Sequence, residues 1–305
     1  MKGAETTFID LTSDFGFKKL FGEEPNKDLL LSFLNEVFQG RKRIRDLEYT
    51  PNEALGNGLD EGQAIFDLVC TGSDGEKFII EVQCAKQTHF KKRALFCTSR
   101  LISNQAPKGR RARWNYAISE VYLVALLDGF TITEAKETSP IHDVCLCDRK
   151  NGNVFFDGFG FIYVELPKFH KKETELQSDL DRWLFILKNM SRLKKISVFL
   201  QKPIFQKVFD IATYNNLNKE ERMTYDISLK RKWDQYSIKE TAFNEGKEEG
   251  KSEGKHEGIV LGIQKGEMNK TREITLKLLH KGTSIDLIME LTGLSEIEIT
   301  QLMQE

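Results

Sequence analysis

Two short apolar segments joined by a turn constrain the fold of this chain more than any other feature. Residues 64–70 (AIFDLVC) and 77–83 (KFIIEVQ) are rich in β-branched and aromatic residues, and the connection between them carries the turn signal Asp74-Gly75. The sequence therefore predicts a β-hairpin over 64–83. Residues 119–128 (SEVYLVALLD) are almost continuously apolar, which is typical of a strand covered on both faces.

The rest of the chain alternates between strand-like and helix-like segments. Strand patterns occur in the basic stretch 41–50 and in 154–166, where an aromatic strand pair is expected. Apolar residues at helical spacing predict helices over 26–39, 88–104, 179–190, 194–212 and 218–244. This order of elements indicates an α/β or α+β fold with a helical C-terminal region.

Two carboxylates interrupt the hairpin arms. Asp67 and Glu81 lie in otherwise apolar surroundings, where a carboxylate is costly unless it is paired, solvated or bound to a metal. If the turn sets the register, Asp67 faces Glu81 or its immediate neighbour, and directly opposed side chains have Cβ atoms about 4.5–5.5 Å apart. A Mg²⁺ ion, which prefers oxygen ligands, would relieve their repulsion, and Gln83 falls on the same face as Glu81. An edge hairpin with a wet polar face explains the pattern equally well.

A basic stretch follows the hairpin. Residues 86–113 contain nine Lys or Arg and no acid, although the whole chain, with 45 basic and 46 acidic residues, has a net charge of only −1. A solvated helix face is the simpler interpretation of a charge run. Next to an acidic metal site, however, it fits phosphodiester chemistry, because cations neutralise backbone phosphates while the metal activates water.

Several motifs together resemble a known family. TSDFGFKKLFG (12–22), IFDLVC (65–70), FIIEVQCAK (78–86) and the basic helix after them are similar to the PD-(D/E)XK nuclease-family transposases, also called recombination-promoting nucleases. The resemblance covers roughly residues 8–130 by motif. It implies an α/β fold with a restriction-endonuclease-like core, a mixed sheet flanked by helices, which a helical C-terminal region follows.

The resemblance also implies roles for individual residues. Asp67, Glu81 and the Val82 carbonyl would hold Mg²⁺, for which Mn²⁺ is a substitute. Gln83 occupies the place of the superfamily's lysine and offers hydrogen bonds but no charge, so Lys86 or Lys18 would supply the charge and Asp14 a further, outer carboxylate. The residues expected to contact DNA are Lys91, Lys92, Arg93, Arg100, Arg110 and Arg111.

Glycine recurs at every fourth position from Gly246 to Gly266. Each glycine costs a helix roughly 1 kcal/mol relative to alanine, so a flexible spacer is favoured over a helix that packs closely against a second copy. The predicted organisation is a nuclease-like core (1–170), a helical extension (171–244), this spacer (245–268) and a small helix-turn-helix-like hairpin (269–305). Residues 282–305 carry five acids and no Lys or Arg, which favours self-association or docking of the hairpin over DNA binding.

The predicted function is a metal-dependent DNA endonuclease associated with recombination or transposition. The alternative is a catalytically inactive DNA-binding or protein-interaction module on a nuclease-derived scaffold. A cytoplasmic protein without membrane contact is expected, because no secretory signal or membrane-spanning segment is apparent and five scattered cysteines are typical of reduced thiols. Homo-oligomers would form through the glycine repeat and the C-terminal helices.

Overall fold

A computed structural model of the protein describes residues 7–50, 67–107, 114–134, 136–196 and 200–303. The strands are β1 (Leu47–Tyr49), β2 (Leu68–Gly72), β3 (Lys77–Gln83), β4 (Val121–Leu127), β5 (Ile141–Cys147) and β6 (Val154–Glu165). The helices are α1 (Asp14–Phe21), α2 (Lys27–Val37), α3 (Phe90–Ser103), α4 (Asp179–Asn189), α5 (Pro203–Ala212), α6 (Lys219–His280), α7 (Ile285–Thr292) and α8 (Glu296–Leu302).

The strands of the described residues form one six-stranded mixed sheet in the order β1-β2-β3-β4-β6-β5. The predicted hairpin is confirmed, since β2 and β3 pair antiparallel with Cys70 opposite Phe78; residues 64–66 of its first arm lie outside the described residues. The predicted buried strand is also confirmed. All seven residues of β4 are buried, and β4 runs parallel to both β3 and β6 at the centre of the sheet.

Two sequence predictions need correction. The segment 154–166 is not a strand pair but one long strand, β6, whose antiparallel partner β5 precedes it. Of the helix expected over 194–212, the described residues show Pro203–Ala212 as helix, and residues 197–199 lie outside the described residues. Proline disfavours helical conformation in the residue before it and is well suited to the first turn.

Two apolar cores cover the two faces of the sheet. Alternate residues of β3 divide between them: Phe78 and Ile80 belong to the larger core, with α1, α2, α4 and α5, whereas Ile79 belongs to the smaller core, with α3. In the larger core, the ring of the fully buried Trp183 lies 5.3 Å from that of Phe205. Glu81 continues the alternation of Ile79, so its side chain points to the α3 face.

The described chain divides into two compact units, Met1–Ser237 and Ile238–Glu305. The predicted domain boundaries stay predictions, but the flexible spacer expected at 245–268 is wrong, because these residues belong to the 62-residue helix α6. Helix α6 begins upstream of the glycines, so the unfavourable nucleation step is already complete when the helix reaches them. Each further residue then only extends the helix by one hydrogen bond. Glu, Lys and Gln between the glycines are good helix formers.

The C-terminal unit ends in the predicted pair of short helices. Gly293 closes α7 in the left-handed conformation at φ 72°, and Ser295 and Glu298 form the predicted capping box of α8. None of the described helices has the length and apolar character needed to cross a bilayer.

Candidate active site

The hairpin brings Asp67 to the level of Glu81. Leu68 pairs with Ile80 in the β2–β3 ladder, so Asp67, the residue before β2, lies opposite Glu81 when the register is extended by one. The backbone N–H of Val82 donates a 2.8 Å hydrogen bond to Oδ2 of Asp67. This bond fixes the carboxylate at the carboxyl end of β3.

Glu81 is buried with a cationic partner. Its side chain is only 3% exposed, and Oε2 accepts a 2.7 Å hydrogen bond from the guanidinium of Arg93 on α3. The side-chain amide of Gln83 donates a longer bond of 3.3 Å to the same oxygen. The amide oxygen of Gln83 in turn accepts a 3.0 Å bond from Gln87, so Gln83 and Glu81 share a face as the alternation predicts.

Burial controls the acidity of both carboxyl groups. Burial raises the pKa of Asp67 above 3.8, and the Val82 hydrogen bond and the charge of Lys18 only partly offset this effect. Burial likewise raises the pKa of Glu81 above 4.5, against the opposing charge of Arg93. The charge of Asp67 contributes to the shift of Glu81, so a cation between these groups would favour their ionised forms.

A cleft of about 220 Å³ opens beside Asp67. Its walls include Asp14, Gln83, Arg231 and Lys232. Asp14 lines the same cleft as Asp67, and its charge contributes to the raised pKa of Asp67. Its role as an outer carboxylate stays a prediction. Lys18 pairs with Asp14 at 2.7 Å, one helical turn away on the exposed face of α1. Lys18 is also close enough to Asp67 to oppose the rise in its pKa.

The remaining predicted residues fall in three places. Lys86 is exposed and is not among the described residues that line the cleft. Lys91 and Lys92 are exposed on α3, and Arg100 lies one turn before the end of that helix. Arg110 and Arg111 lie outside the described residues.

Sequence reasoning missed a buried ionic cluster that borders the cleft. The ammonium group of Lys232, on α6, donates hydrogen bonds to Oδ2 of Asp10 at 2.8 Å, to Oδ2 of Asp128 at 2.7 Å and to the hydroxyl of Thr12. Burial acts to lower the pKa of Lys232, but the two carboxylates outweigh it and the pKa is raised. In the sequence, the one signal for this cluster is Asp128, a carboxylate directly after the buried strand β4. Lys232 gives no signal, because it lies among many other charged residues of a helical segment.

This cluster fixes the wall of the cleft. The backbone N–H of Asp128 donates a 2.8 Å hydrogen bond to the carbonyl of Gln83, which links the cluster to the end of β3. The thiol of Cys84 donates to the carbonyl of Thr12 at 3.1 Å. The N-terminal segment, the ends of β3 and β4, and α6 therefore meet around Lys232.

The family model of the PD-(D/E)XK nuclease family transposases matches residues 11–242. The chain belongs to this family. The resemblance inferred from the motifs is thus confirmed. The predicted fold class is confirmed as well, because this PD-(D/E)XK family member has a mixed sheet with flanking helices, followed by a long C-terminal helix. This architecture is consistent with a restriction-endonuclease-like core. No curated protein and no solved structure matches the chain.

PD-(D/E)XK nucleases generally use divalent metals, and the donor set here suits such an ion. Mg²⁺ is commonly bound by one or two carboxylates and otherwise by water, and Asp67 and Glu81 supply two carboxylates. The described residues contain no group of three or more His, Cys, Asp or Glu side chains placed to hold a metal. An ion held by Asp67, Glu81 and the Val82 carbonyl would keep several waters as its remaining ligands.

Proposed function

We propose that this PD-(D/E)XK family member is a metal-dependent DNA endonuclease that acts in recombination or transposition. Membership of the family indicates a nuclease function related to transposition. The single observation that supports the endonuclease best is the pair Asp67 and Glu81, held at one end of the hairpin and both with pKa values raised by burial.

The residues around the pair have complementary tasks. Bound Mg²⁺, or Mn²⁺ in its place, would polarise the scissile phosphate and lower the pKa of the attacking water. Asp67, Glu81 and the Val82 carbonyl hold the ion, and Gln83 orients the water through its amide. Positive charge near Asp67 comes from Lys18 and Arg93, both of which oppose the rise in its pKa, and Arg231 adds a cation to the lining of the cleft.

Cations on and after α3 bind the DNA backbone in this proposal. Lys91 and Lys92 are exposed and contact phosphates directly. Arg93 is partly occupied by its ion pair with Glu81, so its contact with phosphate is weaker. Arg100, Arg110 and Arg111 extend the same positive stretch, in which the sequence places no acid. Binding that weakens as salt rises is the expected signature.

Nicking of supercoiled plasmid DNA with Mg²⁺ or Mn²⁺ tests the proposal. The variants Asp67→Asn and Glu81→Gln keep the shape of each side chain and remove its charge, so both should abolish nicking. Asp74→Asn is the matched control, because Asp74 is an exposed carboxylate in the turn of the same hairpin. It should retain full activity.

One result would contradict the assignment of the active site and another would contradict the endonuclease activity itself. Nicking that survives both substitutions would show that the active site lies elsewhere. Absence of nicking by the intact chain with any divalent metal, combined with salt-dependent DNA binding, would favour the inactive binding module.

We also propose that the chain forms homo-oligomers through the C-terminal unit. A Cβ atom added at any glycine from Gly246 to Gly266 would meet nothing within 4 Å, so this stripe of α6 leaves room for a second backbone. Ile259, Leu261 and Ile263 on the same helix are more than half exposed. A second copy that covers this region would offset the cost of the glycines.

Sedimentation of the full chain tests self-association. The wild type should sediment as an oligomer, and Gly254→Leu should shift it toward the monomer, because a leucine side chain would separate the helices. Lys255→Leu, which adds the same side chain one position along, is the control. A monomeric wild type over the whole concentration range would contradict the proposal.

A cytoplasmic location is proposed from the cysteines. All five, each within the described residues, are free thiols, as is usual in a reducing compartment. Fractionation of the native cells would test it, and recovery of the protein outside the cytoplasm would contradict it.

A further inference from the structure

The outer face of α3 exposes two apolar side chains. Leu95 and Phe96 are 53% and 54% exposed, whereas Phe90, Ala94 and Leu101 on the opposite side of the same helix are buried in the smaller core. These two residues contribute little to the core, so the fold alone does not account for their apolar character.

Cations surround this apolar pair. Lys92, Phe96 and Arg100 follow one another at four-residue spacing and therefore form one row along the helix. The guanidinium of Arg100 lies over the Phe96 ring at 5.9 Å, and exposed Lys91 lies one turn before Leu95. The sequence of α3 contains no acid, so an anionic partner complements this face.

The same helix is attached to the candidate active site. Arg93, one turn before Cys97 on the inner side, binds Glu81 at 2.7 Å. A ligand on the outer face of α3 is therefore positioned by a rigid element that also contacts the proposed metal site.

We propose that the outer face of α3 binds DNA in which at least one base is unpaired, and that Phe96 stacks on that base. The inference rests on the proposed DNA substrate and specifies its form. Lysines alone would be enough to bind the phosphates of a duplex. An exposed aromatic ring between cations is instead typical of proteins that bind single strands by stacking on their bases. In an intact duplex the faces of the bases are covered by their neighbours, and the grooves present mainly polar edges.

Fluorescence anisotropy tests the inference with a single-stranded oligonucleotide and with the duplex of the same sequence. Both are titrated with the full chain in EDTA, so that no cleavage is needed. Phe96→Ala should weaken binding of the single strand by roughly 5- to 150-fold, the usual contribution of one stacked base. Duplex binding should change much less. Phe96→Trp should retain tight binding, because the larger ring also stacks.

Two controls separate stacking from charge and from general surface effects. Phe155→Ala removes a phenylalanine that is 83% exposed on β6, and it should leave both affinities unchanged. Lys92→Ala should reduce the salt dependence of single-strand binding by a slope of about 0.7. Phe96→Ala should leave that slope as it is.

The outcomes also separate this inference from the proposed endonuclease. Equal effects of Phe96→Ala on the two forms of DNA, or no effect on either, would overturn the stacking role even if the protein nicks plasmid. Selective loss of single-strand binding would support it even if the protein nicks nothing. Failure of the wild type to bind either form would overturn the assignment of this face to DNA.

Discussion

The guanidinium of Arg93 donates a 2.7 Å hydrogen bond to Oε2 of Glu81, and this bond joins helix α3 to strand β3. Arg93 is 37% exposed whereas Glu81 is 3% exposed, so the cation reaches from the surface to a buried anion. A metal ion at Asp67 and Glu81 would compete with Arg93 for that oxygen.

Replacing Arg93 should therefore strengthen metal binding. In Arg93→Gln, Oε2 of Glu81 loses its ion pair with the guanidinium. A divalent ion then binds this oxygen without displacing a cation, so its affinity should rise. We expect Mg²⁺ or Mn²⁺ to raise the melting temperature more in this variant than in the wild type. Lys92→Gln removes a neighbouring exposed charge and should show the wild-type shift. An equal or smaller shift in Arg93→Gln would contradict competition.

A lysine at position 83 should extend nuclease activity to lower pH. Burial raises the pKa of Glu81, so the proposed metal site loses its anion as the pH falls toward that value. In Gln83→Lys a positive charge next to Glu81 would lower this pKa. The acidic limb of the nicking rate against pH should move to lower pH. Gln83→Leu, which adds no charge, should not produce this movement.

Loss of Lys232 should destabilise the N-terminal unit. Lys232→Met leaves Asp10 and Asp128 without their shared cation, and breaking a buried ion pair costs about 3–5 kcal/mol. The free energy of unfolding in urea measures the loss. Lys230→Met, at an exposed position on the same helix, should change stability by less than about 0.5 kcal/mol. Similar values for the two variants would show that the cluster contributes little.

Asp10 should make the fold sensitive to acid. Burial acts to raise its pKa, but Lys232 outweighs this effect and the pKa of Asp10 is held below 3.8. The ionised Asp10 therefore contributes its full stabilisation above the pKa that it has in the unfolded chain. This stabilisation is lost as the pH falls through the lower pKa that Asp10 has in the folded protein. The stability difference between the wild type and Asp10→Asn should be largest near neutral pH and should shrink below about pH 4. A constant difference would contradict this linkage.

The cysteines should divide into reactive and protected thiols. Burial raises the pKa of Cys70 and Cys84 to about 12 and that of Cys97 to about 11, whereas Cys145 and Cys147 are exposed. Since the thiolate is the reactive form, a thiol reagent should label two cysteines rapidly in the folded chain and all five after denaturation. Rapid labelling of a third thiol in the native protein would contradict the burial.

Local sequence signals predicted much of the fold and part of the candidate site. The Asp-Gly turn fixed the hairpin register, and the period of two along β3 placed Gln83 on the face of Glu81, because both rules act over neighbouring residues. The apolar run 119–128 predicted the central strand for the same reason. By contrast, the glycines of α6 misled the prediction, since intrinsic propensity does not register that a helix is already nucleated upstream.

The partners of the charged residues came only from the tertiary structure. Lys232 meets Asp128 across 104 residues of sequence and Asp10 across 222, and helical spacing alone does not distinguish Lys232 from its solvated neighbours. Arg93 likewise belongs to a uniformly basic run, and only the packing of α3 on the sheet turns it toward Glu81. The sequence by itself determined which carboxylates lie in the hairpin. Long-range packing decided which cations neutralise them, because a charge finds its partner in three dimensions and not along the chain.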